Sequence, residues 1–279
     1  MGQYHQFMNF DKKEICSPKF LRKLTEWSYQ GNDYVLEIEE LLRTSWKNDR
    51  VFVVGDYVSD FYDNSEHSDI LKSIREENKE YQDMSIYDYP YKEVSATTNR
   101  KTPYRYIYNH SLKQYIDLKK QPIQWFNYDK DKNILSGAKY HPLPLLLSCS
   151  NGAGGGDYYY KNEKYVGKWV TNYSEIELSD RELNLNYHEL YLLFDETKSD
   201  KLNVERIIDY LSKEFKNSID KIDTLKFDKA LFLDDDEIEL IKEQSKDIIN
   251  MTIENSKEDI EIEREMTNYK KSSNFLQKS

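Results

Sequence analysis

The run Ser148-Cys-Ser-Asn-Gly-Ala-Gly-Gly-Gly-Asp-Tyr158 divides this chain into two parts of different character. It holds four of the nine glycines, and neither glycine nor proline occurs after Gly167. Because glycine and proline interrupt helices, roughly the last hundred residues can form long helices, whereas the earlier part is rich in turns. The pattern predicts an α+β protein, with an N-terminal mixed or antiparallel sheet and a helical, acidic C-terminal region.

The charge of the chain also changes near residue 180. Residues 1–180 contain 24 Lys and Arg against 27 Asp and Glu, a net charge of −3, whereas residues 181–279 contain 16 against 24, a net charge of −8. A chain of 279 residues can make one large domain or two modest ones. We therefore predict a sheet domain over 1–180, an acidic helical region over 181–270 and a disordered tail over 271–279.

The composition of the chain limits which partners it can bind and in which cellular compartment we expect it. A net charge of −11 disfavours the wrapping of duplex DNA, because DNA phosphates bind clustered Lys and Arg. The remaining interpretations of the negative charge are simple solubility, binding to a basic partner, and mimicry of a polyanion. Two cysteines, Cys16 and Cys149, are too few for a disulfide framework and lack the spacing of a zinc site. The longest apolar run, at 143–147, is too short for a bilayer, and the N-terminus has no signal-peptide pattern. These features predict a cytoplasmic protein without a membrane segment.

Periodicity predicts most of the elements. The alternation at 104–110 and 114–118 favours a β-hairpin, and the apolar run at 51–54 is typical of a buried strand. Apolar spacing predicts helices over 35–47, from Asn203, over 218–232, and from the acidic run at 234–237 to about Tyr269. The segment 165–171 is interpreted as a strand.

The glycine run is the strongest candidate for a ligand site. Consecutive glycines can turn several backbone N–H groups towards a phosphate, and the residues concerned are Asn151, Gly152, Gly154, Gly155 and Gly156. Nearby in the predicted sheet, three residues could act as acid or base: His110, His141 and Asp157. The run matches neither the Walker nor the dinucleotide template, so a structural loop is the favoured interpretation, and no metal or cofactor is predicted.

Aromatic residues suggest a second kind of site. Tyr104, Tyr106 and Tyr108 share one face of the predicted strand, and Arg105 lies among them in a segment rich in cations. Such a face suits stacking of single-stranded nucleic acid, a protein interface, or packing beneath a helix. We predict an interaction surface made of these four residues together with Asp234, Asp235 and Asp236.

Several motifs together resemble a family of uncharacterised bacterial and phage proteins. They are Met1-Gly-Gln-Tyr4 with Asn9-Phe-Asp-Lys12, Val53-Val-Gly-Asp-Tyr57, Asn109-His110 before Tyr115-Ile-Asp-Leu118, and His141-Pro-Leu-Pro-Leu145 before Asn151-Gly-Ala-Gly-Gly-Gly-Asp-Tyr158. The resemblance covers roughly residues 1–180 and implies no activity. With the Lys-, Asn- and Ile-rich composition, it suggests a low-GC host or its phage.

The favoured function is that of a non-enzymatic interaction protein, encoded by a phage or mobile element, that binds and inhibits a host protein of defence or nucleic-acid processing. The chain has no assembled catalytic motif, and its acidic helices suit a basic target. The alternative is an enzyme or sensor for a nucleotide-like ligand that uses the glycine run and the histidines. Direct binding of nucleic acid is not favoured, and self-association is left open.

Overall fold

The computed structural model describes residues 3–19, 23–58, 68–121, 123–149, 166–170, 175–190, 203–228, 231, 233 and 235–276. Helices and mixed sheets both occur, so the predicted α+β class is confirmed. The helices are α1 (Leu24–Trp27), α2 (Asp33–Arg43), α3 (Ser68–Glu77), α4 (Pro142–Leu146), α5 (Asn203–Glu214) and α6 (Asp235–Leu276). The strands are β1 (His5–Asn9), β2 (Glu14–Cys16), β3 (Val51–Gly55), β4 (Lys92–Glu93), β5 (Tyr106–Asn109), β6 (Gln114–Asp117), β7 (Ile123–Asp129), β8 (Ile134–Lys139), β9 (Ile176–Ser179), β10 (His188–Glu189) and β11 (Lys226–Phe227).

The described residues group into two compact units. Unit 1 takes in those within Met1–Asn127, Ser136–Lys198 and Asp228–Phe232, and unit 2 takes in those within Tyr128–Leu135, Ser199–Phe227 and Leu233–Ser279. The chain therefore passes from one unit to the other within β7 and β8. The domain boundaries predicted from composition stay a prediction.

The first sheet of unit 1 has the strand order β3-β1-β2-β4, and its strands β1 and β3 are buried on both faces. Phe7 and Val53 belong to one apolar cluster, whereas Met8 and Phe52 belong to another, because successive side chains of a strand point to opposite faces. Two apolar faces explain why 51–54 is a continuous apolar run rather than an alternating one.

The second sheet has the order β10-β6-β5-β9 and contains the predicted hairpin. Strands β5 and β6 pair antiparallel with Ile107 opposite Ile116 and Tyr108 opposite Tyr115, which confirms the hairpin. Ile107 and Ile116 enter the same apolar cluster as the buried face of α2, including Val35, Ile38 and Leu41. The tyrosines consequently lie on the sheet face turned away from α2.

Unit 2 is built on α5 and α6. Ile207, Leu211 and Phe215 of α5 and its following turn are buried, as are Ile241 and Ile249 of α6, and the two helices contact each other. The helix predicted from Asn203 is confirmed. Helix α6 starts in the predicted acidic run and continues to Leu276, past the predicted end near Tyr269, since no glycine or proline stops it.

Two predicted elements are wrong. Over 218–232 the structure has a 3₁₀ turn at Ile219–Ile222 followed by β11, which pairs with β8 through Lys226 opposite Ile134. That strand pairing outweighs the local helical pattern. Over 166–170 the chain forms turns instead of a strand, because Gly167 has a φ of 64° and donates its N–H to the Leu145 carbonyl.

Candidate interaction surfaces

A ladder of rings runs along the outer face of the second sheet. Strand β5 and the residue after it place Tyr106, Tyr108 and His110 at alternate positions, with Tyr115 of β6 beside Tyr108. The Tyr108 ring centroid lies 6.1 Å from that of Tyr106, 6.2 Å from that of His110 and 5.7 Å from that of Tyr115, all in stacked orientations. We call these four residues the ring ladder.

The ring ladder is covered rather than open. Residues 180–187, which we call the strap, cross it, and the Leu183 N–H donates to the Tyr108 hydroxyl at 2.7 Å. Tyr106 and Tyr108 are both buried, and this burial raises the pKa of each phenol. Tyr104 lies outside β5 and stacks against the Arg100 guanidinium at 3.8 Å. Tyr106 and Tyr108 therefore share one strand face as their spacing predicts, whereas Tyr104 lies outside the strand.

The cations near the ring ladder are paired with carboxylates. Arg105 makes two hydrogen bonds to Asp117, at 3.2 and 3.0 Å, and Lys120 contacts Glu189 at 2.9 Å. Arg100 reaches Asp180 of the strap at 2.7 Å. The hydrogen bond to Asp117 raises the pKa of Arg105. Because these three cations are paired with carboxylates, they contribute little net positive charge to attract a phosphate backbone.

His110 of the ring ladder lines an open cavity. Its Nε2 lies 2.8 Å from Glu177 Oε2 and its Nδ1 lies 2.9 Å from the Tyr187 hydroxyl. A cleft of about 520 Å³ adjoins it, between the end of α2 and β9, and its lining includes Arg43 and Lys47. We call this cavity the edge cleft.

His141 has a structural position. It is fully buried, its Nδ1 accepts the N–H of Leu143 at the start of α4, and its Nε2 lies 3.0 Å from Glu39 Oε1. Glu39 is buried too and accepts the Tyr104 N–H at 3.1 Å. His110 lies at the edge cleft and His141 in this buried pair, so each histidine has its own partners. Sequence reasoning did not identify Glu39, although a carboxylate on the apolar stripe of α2 was a signal of a buried partner.

Other candidate residues lie outside the described residues or at the start of α6. Asn151, Gly152, Gly154, Gly155, Gly156 and Asp157 are not among the described residues, nor is Asp234. Asp235 and Asp236 are exposed in the first turn of α6. Within the described residues, no three His, Cys, Asp or Glu side chains are grouped closely enough to hold a metal ion.

Helix α6 exposes apolar side chains among its carboxylates. Its 42 residues contain twelve Asp and Glu against six Lys and Arg, a net charge of −6. Ile241, Ser245 and Ile249 form a buried stripe, one turn apart. Met251 and Ile260 are 57% and 62% exposed, and among residues 250–257 and 260 even the most covered, Ile253, is only half-buried.

Comparisons with known proteins found no match to this chain. No protein-family model matches the sequence, no curated protein is significantly similar to it, and no solved structure matches it. The resemblance drawn from the sequence motifs stays an interpretation of the sequence. Among the described helices, none is both long and apolar enough to cross a bilayer.

Proposed function

We propose that the protein is a non-enzymatic interaction protein that binds a partner with a basic surface through α6. The observation that supports this most is the exposure of Met251 and Ile260 on a helix with twice as many acidic as basic residues. Amphipathic helices bind partners by placing apolar side chains in a groove, while surrounding charges select the partner and speed the encounter.

The distribution of burial along α6 supports the same function. Up to Ile249 the helix has a stripe that packs within unit 2, which accounts for the stability of that part. Residues 250–257 have no such stripe, although most helical stability in proteins comes from tertiary packing. A partner that covers this part of α6 supplies the missing burial.

Charge distinguishes the classes of partner. Two copies of α6 with a net charge of −6 each repel one another, so a heterologous basic partner is favoured over self-association. Enzymes that process nucleic acids present basic surfaces to phosphates, and occupation of such a surface blocks the substrate. The proposed partner is therefore a host protein of this class, and the proposed effect on it is inhibition. We place this interaction in the cytoplasm and propose that the gene is carried by a phage or mobile element.

The rival function, an enzyme or sensor for a phosphate-bearing ligand, has less support. It needs histidines that converge on a ligand, yet His141 is fully buried against Glu39 and His110 is engaged by Glu177 and Tyr187. A thermal-shift screen against nucleotides tests it, since a ligand that binds the folded state raises the melting temperature.

The test of the proposed function compares the full chain with a chain that ends after Asn250. The shorter chain keeps Ile241, Ser245 and Ile249, so unit 2 should unfold at nearly the same denaturant concentration. The full chain should capture a stoichiometric basic protein from host lysate, and the shorter chain should not. Equal capture by both chains, or capture by neither, contradicts the proposal.

A matched pair of variants separates the role of the apolar side chains from that of charge. Met251→Ser with Ile260→Ser removes the exposed apolar groups without changing the charge, and should weaken capture. Asn255→Ala alters an exposed polar residue of the same helix and should leave capture unchanged.

A further inference from the structure

Strand β9 forms one edge of the second sheet. It pairs antiparallel with β5, with Glu177 opposite Tyr108 and Leu178 opposite Ile107. In an antiparallel pair, alternate residues direct their backbone N–H and C=O groups towards the partner strand, and the residues between direct theirs away. One edge of β9 is thus paired with β5. The same alternation determines which backbone groups point to the other edge.

Two hydrogen bonds determine that direction. The His110 N–H donates to the Glu175 carbonyl at 3.0 Å, so Glu175 and, two residues on, Glu177 bond towards β5. The Leu118 N–H donates to the Arg105 carbonyl, so Arg105 and, two residues on, Ile107 bond towards β6. The residues that alternate with them therefore bond towards β9, which agrees with the first hydrogen bond. The N–H and C=O groups of Ile176 and Leu178 consequently point to the free edge, where no residue in the described part of the chain pairs with them.

The edge cleft lies along these same residues. Glu175, Ile176, Glu177 and Leu178 line it in succession, opposite the end of α2. A strand placed there would have one set of alternate side chains on the ring-ladder side and the other on the α2 side. Ile176 and Leu178, whose backbone groups point to the free edge, therefore also line the cavity.

The two sides of the edge cleft differ in charge. Glu175 and Glu177 are exposed on the ring-ladder side, where Glu177 also contacts His110. On the α2 side the cleft is lined by Lys47 and by Arg43, whose guanidinium also pairs with the carboxylate of Glu40 at 2.8 Å. Carboxylates on one side, and Lys47 with the partly neutralised Arg43 on the other, favour a strand whose charges alternate in sign with a period of two residues.

We propose that the free edge of β9 binds an extended peptide by strand addition, with Lys or Arg on the ring-ladder side and Asp or Glu on the α2 side. Backbone hydrogen bonds to Ile176 and Leu178 supply the pairing, and the charges set which face of the peptide points which way. A second copy of β9 is disfavoured as the occupant, because it would place Glu175 and Glu177 against the same carboxylates. This surface belongs to unit 1, whereas α6 belongs to unit 2, and it extends the proposed function to a second kind of contact.

The test uses the full chain and a synthetic peptide of about seven residues, the length of a typical strand, with alternating Lys and Glu and with both ends blocked. The matched control has the same composition with the charges arranged in pairs, Lys-Lys-Glu-Glu, so that net charge is kept and the two-residue period is lost. The alternating peptide should bind roughly tenfold more tightly than the control by calorimetry. N-methylation of its alternate amides, which removes hydrogen-bond donors, should weaken it by a similar factor.

Amide hydrogen exchange measured by NMR supplies an independent readout. The alternating peptide should slow exchange at Ile176 and Leu178, and leave that of Glu177, which already bonds to β5, unchanged. The double variant Glu175→Lys with Glu177→Lys should lose the preference for the alternating peptide. No binding at about 1 mM peptide, equal binding of the two charge patterns, or unchanged exchange at Ile176 and Leu178 would overturn the proposal.

Discussion

The ring ladder of unit 1 buries side chains with polar groups, whereas helix α6 of unit 2 exposes apolar side chains. Tyr106 and Tyr108 carry hydroxyl groups and are buried beneath the strap, whereas Met251 and Ile260 are wholly apolar and are exposed. The difference teaches that residue type alone does not locate a binding surface. What decides is whether another segment of the chain supplies a cover, as the strap does for the ring ladder.

The same contrast holds for buried polar groups. In unit 1 the buried Glu39 has two partners, the Tyr104 N–H and His141 Nε2, which offset its loss of hydration. In unit 2 the buried stripe of α6 consists of Ile241, Ser245 and Ile249, and its two isoleucines are stabilised by apolar burial. Substitutions in the two regions should therefore lower the free energy of unfolding for different physical reasons.

The largest effect is expected from Glu39→Ala. It leaves the Tyr104 N–H and His141 Nε2 buried without their acceptor, and the free energy of unfolding should fall by about 3–5 kcal/mol. Denaturant unfolding measures the loss. Glu40→Ala, one residue on, removes only a surface pair with Arg43 and should cost no more than about 1 kcal/mol. Similar losses in the two variants would show that the Glu39 pair is not the buried anchor described above.

A second comparison uses neighbours on α6. Ile249→Ala leaves a cavity beneath a side chain that is 1% exposed, and should lower the free energy of unfolding of unit 2 by about 2–4 kcal/mol. Ile248→Ala truncates a side chain that is 39% exposed, and should change it by less than about 1 kcal/mol. Equal losses, followed by circular dichroism during urea unfolding, would mean that α6 is covered on both faces and is not open to a partner.

Local sequence patterns predicted the elements in which each face of a strand or helix lies in one environment, either the core or the surface. The hairpin of β5 and β6 follows from alternation with Tyr on one side and Ile on the other, and α5 follows from Ile207, Ile208 and Leu211. The predicted strand over 165–171 was wrong because the backbone of Gly167 turns towards the end of α4, a contact from a distant part of the chain. The helix over 218–232 was wrong for a similar reason, the pairing of β11 with β8.

The candidate surfaces were less predictable than the elements. Tyr104, Tyr106, Tyr108 and Arg105 are neighbours in the sequence, but contacts to this segment come from distant residues, such as Leu183 to Tyr108 and Asp117 to Arg105. No periodicity in 180–187 indicates that this segment crosses a sheet. The free edge of β9 depends on which strand pairs with β5, and that pairing joins residues far apart along the chain.

A pair at the surface of unit 1 should contribute less than the buried Glu39 pair. Arg50 hydrogen-bonds Glu77 at 2.6 Å, and this contact lowers the pKa of Glu77 below its usual 4.5. Since the folded-state pKa is lowered, the stabilisation is complete above pH 4.5 and is lost as the pH falls through the lowered value. Glu77→Gln should cost about 1 kcal/mol at pH 7 in low salt, and less in high salt, because the pair is partly exposed.

Urea unfolding of wild type and Glu77→Gln at several pH values measures that contribution. The difference between them should shrink below pH 4.5, while Glu76→Gln, at the exposed neighbouring position, should show little difference at any pH. A difference that persists at low pH would mean that Glu77 acts through packing rather than through its charge.

The smallest effect on overall stability, and the most direct test of the cover on the ring ladder, is expected from Tyr108→Phe. The variant keeps the ring and removes the hydroxyl that accepts the Leu183 N–H, so the global free energy of unfolding should fall by only about 0.5 kcal/mol. The strap should nevertheless open more often, and amide exchange at Leu183 should quicken severalfold. Tyr106→Phe changes a hydroxyl that makes no hydrogen bond to Leu183, and should leave that exchange rate unchanged. If both variants leave Leu183 unaltered, the strap is held by contacts other than Tyr108, and the cover on the ladder does not depend on this hydrogen bond.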